Sequence, residues 1–173
     1  MSVSCTEPGP WQAAVAHALD GLAQASDRVL EVGSGTGAHT LGLARRCRAV
    51  VAVDASAEMV AYLERRLGRE GISNVDTRPG RLPDDLPAGG GYDGVLAVGV
   101  LNYPPDLAAA LRALARTLRP GGWAVVTVPR NSPGGWLYRA WRSGPGSGCR
   151  LPVVHDDRVR GAGRGEDADP VAG

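Results

Sequence analysis

Three glycines fall within five residues at Gly33, Gly35 and Gly37, in the stretch "RVLEVGSGTGAHT" that spans 28–40. Nothing else in the chain restricts its fold as tightly. The turn follows a short apolar run, Val29-Leu30, and an acid, Glu31. A strand that leads through a glycine turn into a helix is the opening unit of an open α/β sheet. Glycine admits positive φ and lets a ligand come close to the backbone. The turn therefore marks a strand end and a binding site together.

The rest of the chain repeats the alternation. Trp11, Ala14, Val15, Ala18, Leu19 and Leu22 fall at helical spacing and predict an opening helix just after Pro10. Residues 28–32 read as a buried strand, and 37–46 as the helix after the turn. "AVVAV" at 49–53, ending at Asp54, suits a parallel strand covered on both faces. Ser56 is placed to cap the next helix, with Glu58 in its first turn and Met59, Leu63 and Leu67 on its inner side.

A weak strand is expected over 75–78, and a stronger one within "YDGVLAVGVL" at 92–101. Pro105 and Asp106 open a further helix with the stripe Leu107, Leu111, Leu114 and Leu118, stopped by Pro120-Gly121-Gly122. "WAVVTV" at 123–128 is the last buried strand. The fold class expected is α/β, a Rossmann-like open and mostly parallel sheet with helices on both faces.

At 173 residues and 43% hydrophobic the chain supports one cored domain, expected over 1–142. From Ser143 onward, Gly, Arg, Asp and Pro dominate without apolar period, so 143–173 reads as a poorly ordered tail. Net charge is +1, which gives no general pull toward nucleic acid or anionic membranes. Cys5, Cys47 and Cys149 are far apart, which argues against a disulfide framework or a zinc site. Asp84-Asp85, between Pro83 and Pro87, reads as a solvated turn, so no metal is expected. The N-terminus is polar and no apolar run approaches a spanning length, so a cytoplasmic location without a transmembrane segment is expected.

Two ligand classes suit the turn. Gly33, Gly35 and Ala38 satisfy G-x-G-x-x-G/A, and Asp54 lies at a distance that suits a ribose, as in dinucleotide sites. Glu31 separates the classes. A carboxylate beside the turn would repel a pyrophosphate. S-adenosylmethionine has no phosphate, and its ammonium and sulfonium are both cationic. Asp54 would accept from ribose hydroxyls in either case.

At this point the sequence resembles a known family. "EVGSGTG", "VVAVDAS" and "LRPGGWAVVTVP", in this order, are similar to successive motifs of the class I S-adenosylmethionine-dependent methyltransferases. The resemblance spans roughly 10–142. It implies that Glu31, Gly33, Ser34, Gly35 and Gly37 line the methionine part and the ribose, and that Asp54 holds the ribose. It also implies that Ala55 and Met59 pack near the adenine. Val98 and Gly99 would lie beneath the methionine and the transferred methyl.

The sequence departs from the family at two places. Many members carry an acid after the third strand that binds the adenine amino group. Here the matching pair is Gly80-Arg81, and arginine has donors only, which leaves the Leu82 backbone N–H to serve the ring or Asp84 to substitute for the acid. The family also ends with a fifth helix and an antiparallel strand pair. Residues 135–142 suit the start of that helix, but the tail shows no strand pair and reads as a truncated or frame-changed ending.

Asn102 and Tyr103 are the candidate acceptor-binding residues, with acceptor orientation and loop capping standing as equal readings. No catalytic residue is assigned. His39, near the turn, reads as a base or, in preference, a solvent-facing helix histidine. "GGWLYRAWR" at 134–142 reads as a packed helix in preference to a lid. The function expected is methyl transfer from S-adenosylmethionine to a small-molecule acceptor, with no nucleic-acid partner. The alternative is a non-catalytic relative that keeps the cofactor fold without a complete acceptor site. Oligomeric state is not legible.

Overall fold

The computed structural model describes residues 10–129 and 153–156. The elements run α1 (Pro10–Leu22), β1 (Arg28–Val32), α2 (Thr40–Arg46), β2 (Ala49–Asp54), α3 (Ala57–Arg69), β3 (Val75–Pro79), β4 (Tyr92–Ala97), α4 (Leu107–Thr117), β5 (Leu118–Pro129) and β6 (Val153–Asp156). They form a six-stranded sheet in the order β3-β2-β1-β4-β5-β6. Every pairing is parallel. The chain order reverses beside β1, so β1 and β4 flank the switch point where open α/β sheets bind ligands.

The two-residue period of the strands divides the core. Leu30, Val32, Val51, Val53, Val95, Ala97, Ala124 and Val126 cover one face, where Ala110 and Leu114 of α4 pack on them. Val29, Val50, Leu96, Trp123 and Val125 point to the other face, beneath Val15 and Leu19 of α1 and Leu43 of α2. Leu63 and Leu67 of α3 join that side through Leu41 and Ala52. Helices on both faces explain why these strands are continuous apolar runs.

The structure moves some expected boundaries. α2 begins at Thr40, not at Gly37, because Gly37 has φ +87 and cannot continue a right-handed helix. α4 stops at Thr117, ahead of Pro120-Gly121-Gly122. Proline disfavours helical backbone in the residue before it, so the stop acts upstream of the proline itself. The inner row of α3 is Val60, Leu63 and Leu67, with Met59 only half-buried.

The segment 143–173, read from sequence as a tail without a strand pair, contributes one strand, β6, which pairs parallel to β5 from Val126↔Val153 to Pro129↔Asp156. β-Branched Val153-Val154 suits a strand, and the outer edge of β5 offers unpaired backbone groups. Residues 130–152, with the tryptophan-rich stretch at 134–142, lie outside the described residues, as do Cys5 and Cys149.

Among the described residues, no helix is long and apolar enough to cross a membrane. No group of three or more His, Cys, Asp and Glu side chains among them is arranged to hold a metal ion. Asp84 and Asp85 are exposed, and the Asp85 carboxylate accepts the Arg81 N–H at 3.2 Å. Cys47 is buried, and burial pushes its thiol up to about 11, which leaves it unreactive.

Candidate functional site

The site is built at the carboxyl edge of β1, β2 and β4. β1 ends at Val32, and the chain turns through Gly33, Gly35 and Gly37 with φ of +78, +51 and +87. The glycines serve different needs. A Cβ on Gly37 would sit 2.5 Å from Leu63 Cδ1 and 3.0 Å from Leu41 Cδ1, so a side chain there would have to displace these core leucine ends. A Cβ on Gly33 would lie 3.0 Å from Val100 Cβ, which seats the loop after β4 against the turn. At Gly35 a Cβ would meet nothing within 4 Å. The space over Gly35 is open, and only its left-handed backbone calls for glycine.

Asp54 fastens the turn to β2. Its Oδ2 accepts the Gly35 N–H at 2.7 Å, and its Oδ1 accepts the Ser56 N–H at 2.9 Å. Each oxygen keeps a second lone pair. The Val53 carbonyl accepts from Gly33 and Ser34, at 2.8 and 3.2 Å. Ser56 caps α3 as the sequence predicts, its hydroxyl accepting the Met59 N–H at 3.3 Å. From α3, the Arg66 guanidinium donates to the Thr36 carbonyl at 3.0 Å.

Glu31 lies inside β1, paired in register with Ala52 and Leu96. It shares the face of Val29, as Asp54 shares that of Ala52, so both acids belong to one side of the sheet. Glu31 is only 2% exposed. Burial raises its carboxyl to about 7; the Thr40 hydroxyl opposes that shift and Asp54 adds to it. Thr40 is close enough to act on the charge but makes no complete hydrogen bond. Glu31 Oε2, Ser34 Oγ and Thr40 Oγ1 are buried side-chain oxygens without a hydrogen-bond partner. Such groups cost free energy unless a ligand or water completes them. Acceptors and hydroxyls beside an open glycine turn fit the ammonium end of an amino-acid-like cofactor.

His39 stands at the N-cap of α2, half-buried, and burial lowers its pKa. The solvent-facing placement preferred from sequence is thus only half met. The Gly80 N–H donates to the Asp54 carbonyl at 2.9 Å, which brings the turn after β3 to the same edge. Arg81 beyond it is exposed, while Leu82 is half-buried against the α4-side core. Ala55 is exposed and Met59 half-buried beside Asp54.

After β4, Val98 is half-buried, and Gly99 turns away with φ +69. The Gly99 N–H donates to the Thr127 hydroxyl oxygen at 2.7 Å. Sequence reasoning passed over Thr127; a hydroxyl inside an otherwise apolar strand is the signal that would have found it. Asn102 and Tyr103 stand in solvent, Tyr103 at 82% exposure.

A family model described as "Methyltransferase domain" matches residues 29–122, more than half of the chain. A protein-L-isoaspartate O-methyltransferase of Myxococcus xanthus is 36% identical over 109 residues, covering 61% of this chain and 47% of that protein. A ubiquinone biosynthesis O-methyltransferase of Xanthomonas oryzae pv. oryzae is 36% identical over 111 residues, covering 63% and 46%. The chain thus spans about half the length of these curated relatives. Among solved structures, coclaurine N-methyltransferase bound to N-methylheliamine and SAH superposes with a TM-score of 0.59 at 25% identity, covering 70% of this chain and 37% of that one. Motifs, sheet order and family match agree: the chain belongs to the class I S-adenosylmethionine-dependent methyltransferases.

Proposed function

We propose that the chain binds S-adenosylmethionine across the carboxyl edge of β1, β2 and β4 and passes its methyl group to a small-molecule acceptor. The observation that carries this reading is the group of buried, unpartnered oxygens on Glu31, Ser34 and Thr40 beside the open face of Gly35. When bound, the cofactor supplies a methyl carried on a sulfonium; the acceptor–carbon bond forms as the sulfur–carbon bond breaks, leaving a thioether.

The residues divide the work. Glu31, Ser34 and the backbone of Gly33, Gly35 and Gly37 receive the methionine end. Asp54 uses its spare lone pairs for ribose hydroxyls. Ala55, Met59 and Leu82 offer contact to the adenine, with the exposed Asp84 as the alternative acceptor for its amino group. Val98 and Gly99 form the floor under the methyl. Asn102 and Tyr103, exposed at the rim, meet the acceptor.

The named relatives support methyl transfer but differ in acceptor: one name specifies a protein isoaspartate, another ubiquinone biosynthesis. The near-neutral charge of +1 favours a small acceptor over nucleic acid. The test is transfer of labelled methyl from S-adenosylmethionine to a panel of phenols, amines and an isoaspartyl peptide. Turnover of a phenol or amine supports the reading. Turnover of the peptide alone overturns the acceptor class. Binding of S-adenosylhomocysteine without transfer to any acceptor makes the chain a binding-only relative.

A further inference from the structure

Strand β5 is hydrocarbon through Ala124, Val125 and Val126, and then carries Thr127, only 2% exposed. Valine has nearly the same shape and buries without the cost of a hydroxyl. The hydroxyl is used: its oxygen accepts the Gly99 N–H at 2.7 Å. The β4 ladder ends at Ala97, paired with Val126. Beyond it the Gly99 N–H has left the regular ladder, and a side chain takes the place of a strand carbonyl. Gly99 has φ +69, and a Cβ there would meet nothing within 4 Å, so no side chain of its own anchors the turn. The bond to Thr127 ties its N–H to β5.

The loop so pinned continues into Val100, whose Cβ would lie 3.0 Å from a Cβ on Gly33. Gly33 in turn donates to the Val53 carbonyl at 2.8 Å. Contacts thus run from Thr127 on β5, through Gly99 and Val100 after β4, to the glycine turn after β1. By period, Thr127 lies on the same sheet face as Val125, the face that carries Glu31.

We infer that Thr127 is a positioning residue: its hydroxyl fixes the Gly99 peptide and thereby how the post-β4 loop seats on the glycine turn, beside which the methionine end of the cofactor is held. This rests on the cofactor reading above. Thr127 touches no reacting atom in this account; it acts through Gly99.

The test compares wild type, Thr127→Val and Thr127→Ser by titration with S-adenosylhomocysteine and by hydrogen exchange at the Gly99 amide. Thr127→Val should weaken binding about tenfold, the scale of one lost hydrogen bond, and speed Gly99 exchange. Thr127→Ser keeps the acceptor oxygen and should restore both. A merely structural role would lower the melting temperature of Thr127→Val while leaving the affinity of the folded protein unchanged, and that result would overturn the inference. Failure of the serine variant to restore binding would also overturn it. If wild type itself binds no S-adenosylhomocysteine, the cofactor reading falls and takes this role with it. Gly99 exchange would then still show whether the hydroxyl pins the loop.

Discussion

The Gly35 N–H donates to Asp54 Oδ2 at 2.7 Å, across the gap between the turn after β1 and the end of β2. The acid that would hold a ribose is thus also the acid that shapes the turn. Asp54→Ala removes the acceptor of both the Gly35 and Ser56 N–H groups. It should cost about 2–4 kcal/mol of stability, since bonds to a charged group are worth more than neutral ones. It should also weaken S-adenosylhomocysteine binding at least tenfold. Denaturant unfolding and calorimetry on the same sample separate the effects; unchanged affinity in a folded variant would place the ribose elsewhere.

The glycines give a paired prediction. Gly35→Ala meets open space and pays mainly for left-handed backbone, about 1–2 kcal/mol. Its methyl enters the space assigned to the ligand, so affinity should fall steeply. Gly37→Ala adds a clash with Leu63 and should cost about 2–4 kcal/mol. A larger stability loss at Gly35 than at Gly37 would contradict this division.

Glu31 makes stability depend on pH. Its carboxyl is raised from 4.5 to about 7. Below 4.5 both folded and unfolded chains hold the proton. Between 4.5 and 7 the unfolded chain releases it first, so stability falls as pH rises, by about 3 kcal/mol at most. His39, lowered by burial, opposes this by losing stability on acidification. Comparing wild type with Glu31→Gln isolates the carboxyl: the fall from pH 5 to pH 8 should shrink in the variant. Equal slopes would show that Glu31 does not titrate in this window.

A cationic ligand reverses that cost. S-adenosylhomocysteine keeps the ammonium, so its affinity should rise with pH up to about 7 as Glu31 loses its proton, then level off. Calorimetry in buffers of different ionisation enthalpy should register proton release at pH 6. No proton release there would separate Glu31 from the ammonium.

The sequence made the glycine turn legible because positive φ selects glycine so strongly. It made the central strands legible because burial on both faces leaves long valine runs. It hid the orientation of Glu31, since alternation is invisible in a strand apolar on both sides. The late start of α2 was hidden too: 37–39 have no helix-breaking residue beyond the glycine itself. The Thr127–Gly99 bond joins residues 28 apart, and one threonine among valines carries no periodic signal. β6 rests on a short apolar pair in a polar tail, too little for pattern reading to separate from its surroundings.

The most direct test of the central claim is calorimetric titration of the chain with S-adenosylhomocysteine, with NADH as the control. The account predicts micromolar binding of the first and none of the second. A folded, monodisperse sample that binds NADH, or that fails to bind S-adenosylhomocysteine, would contradict it.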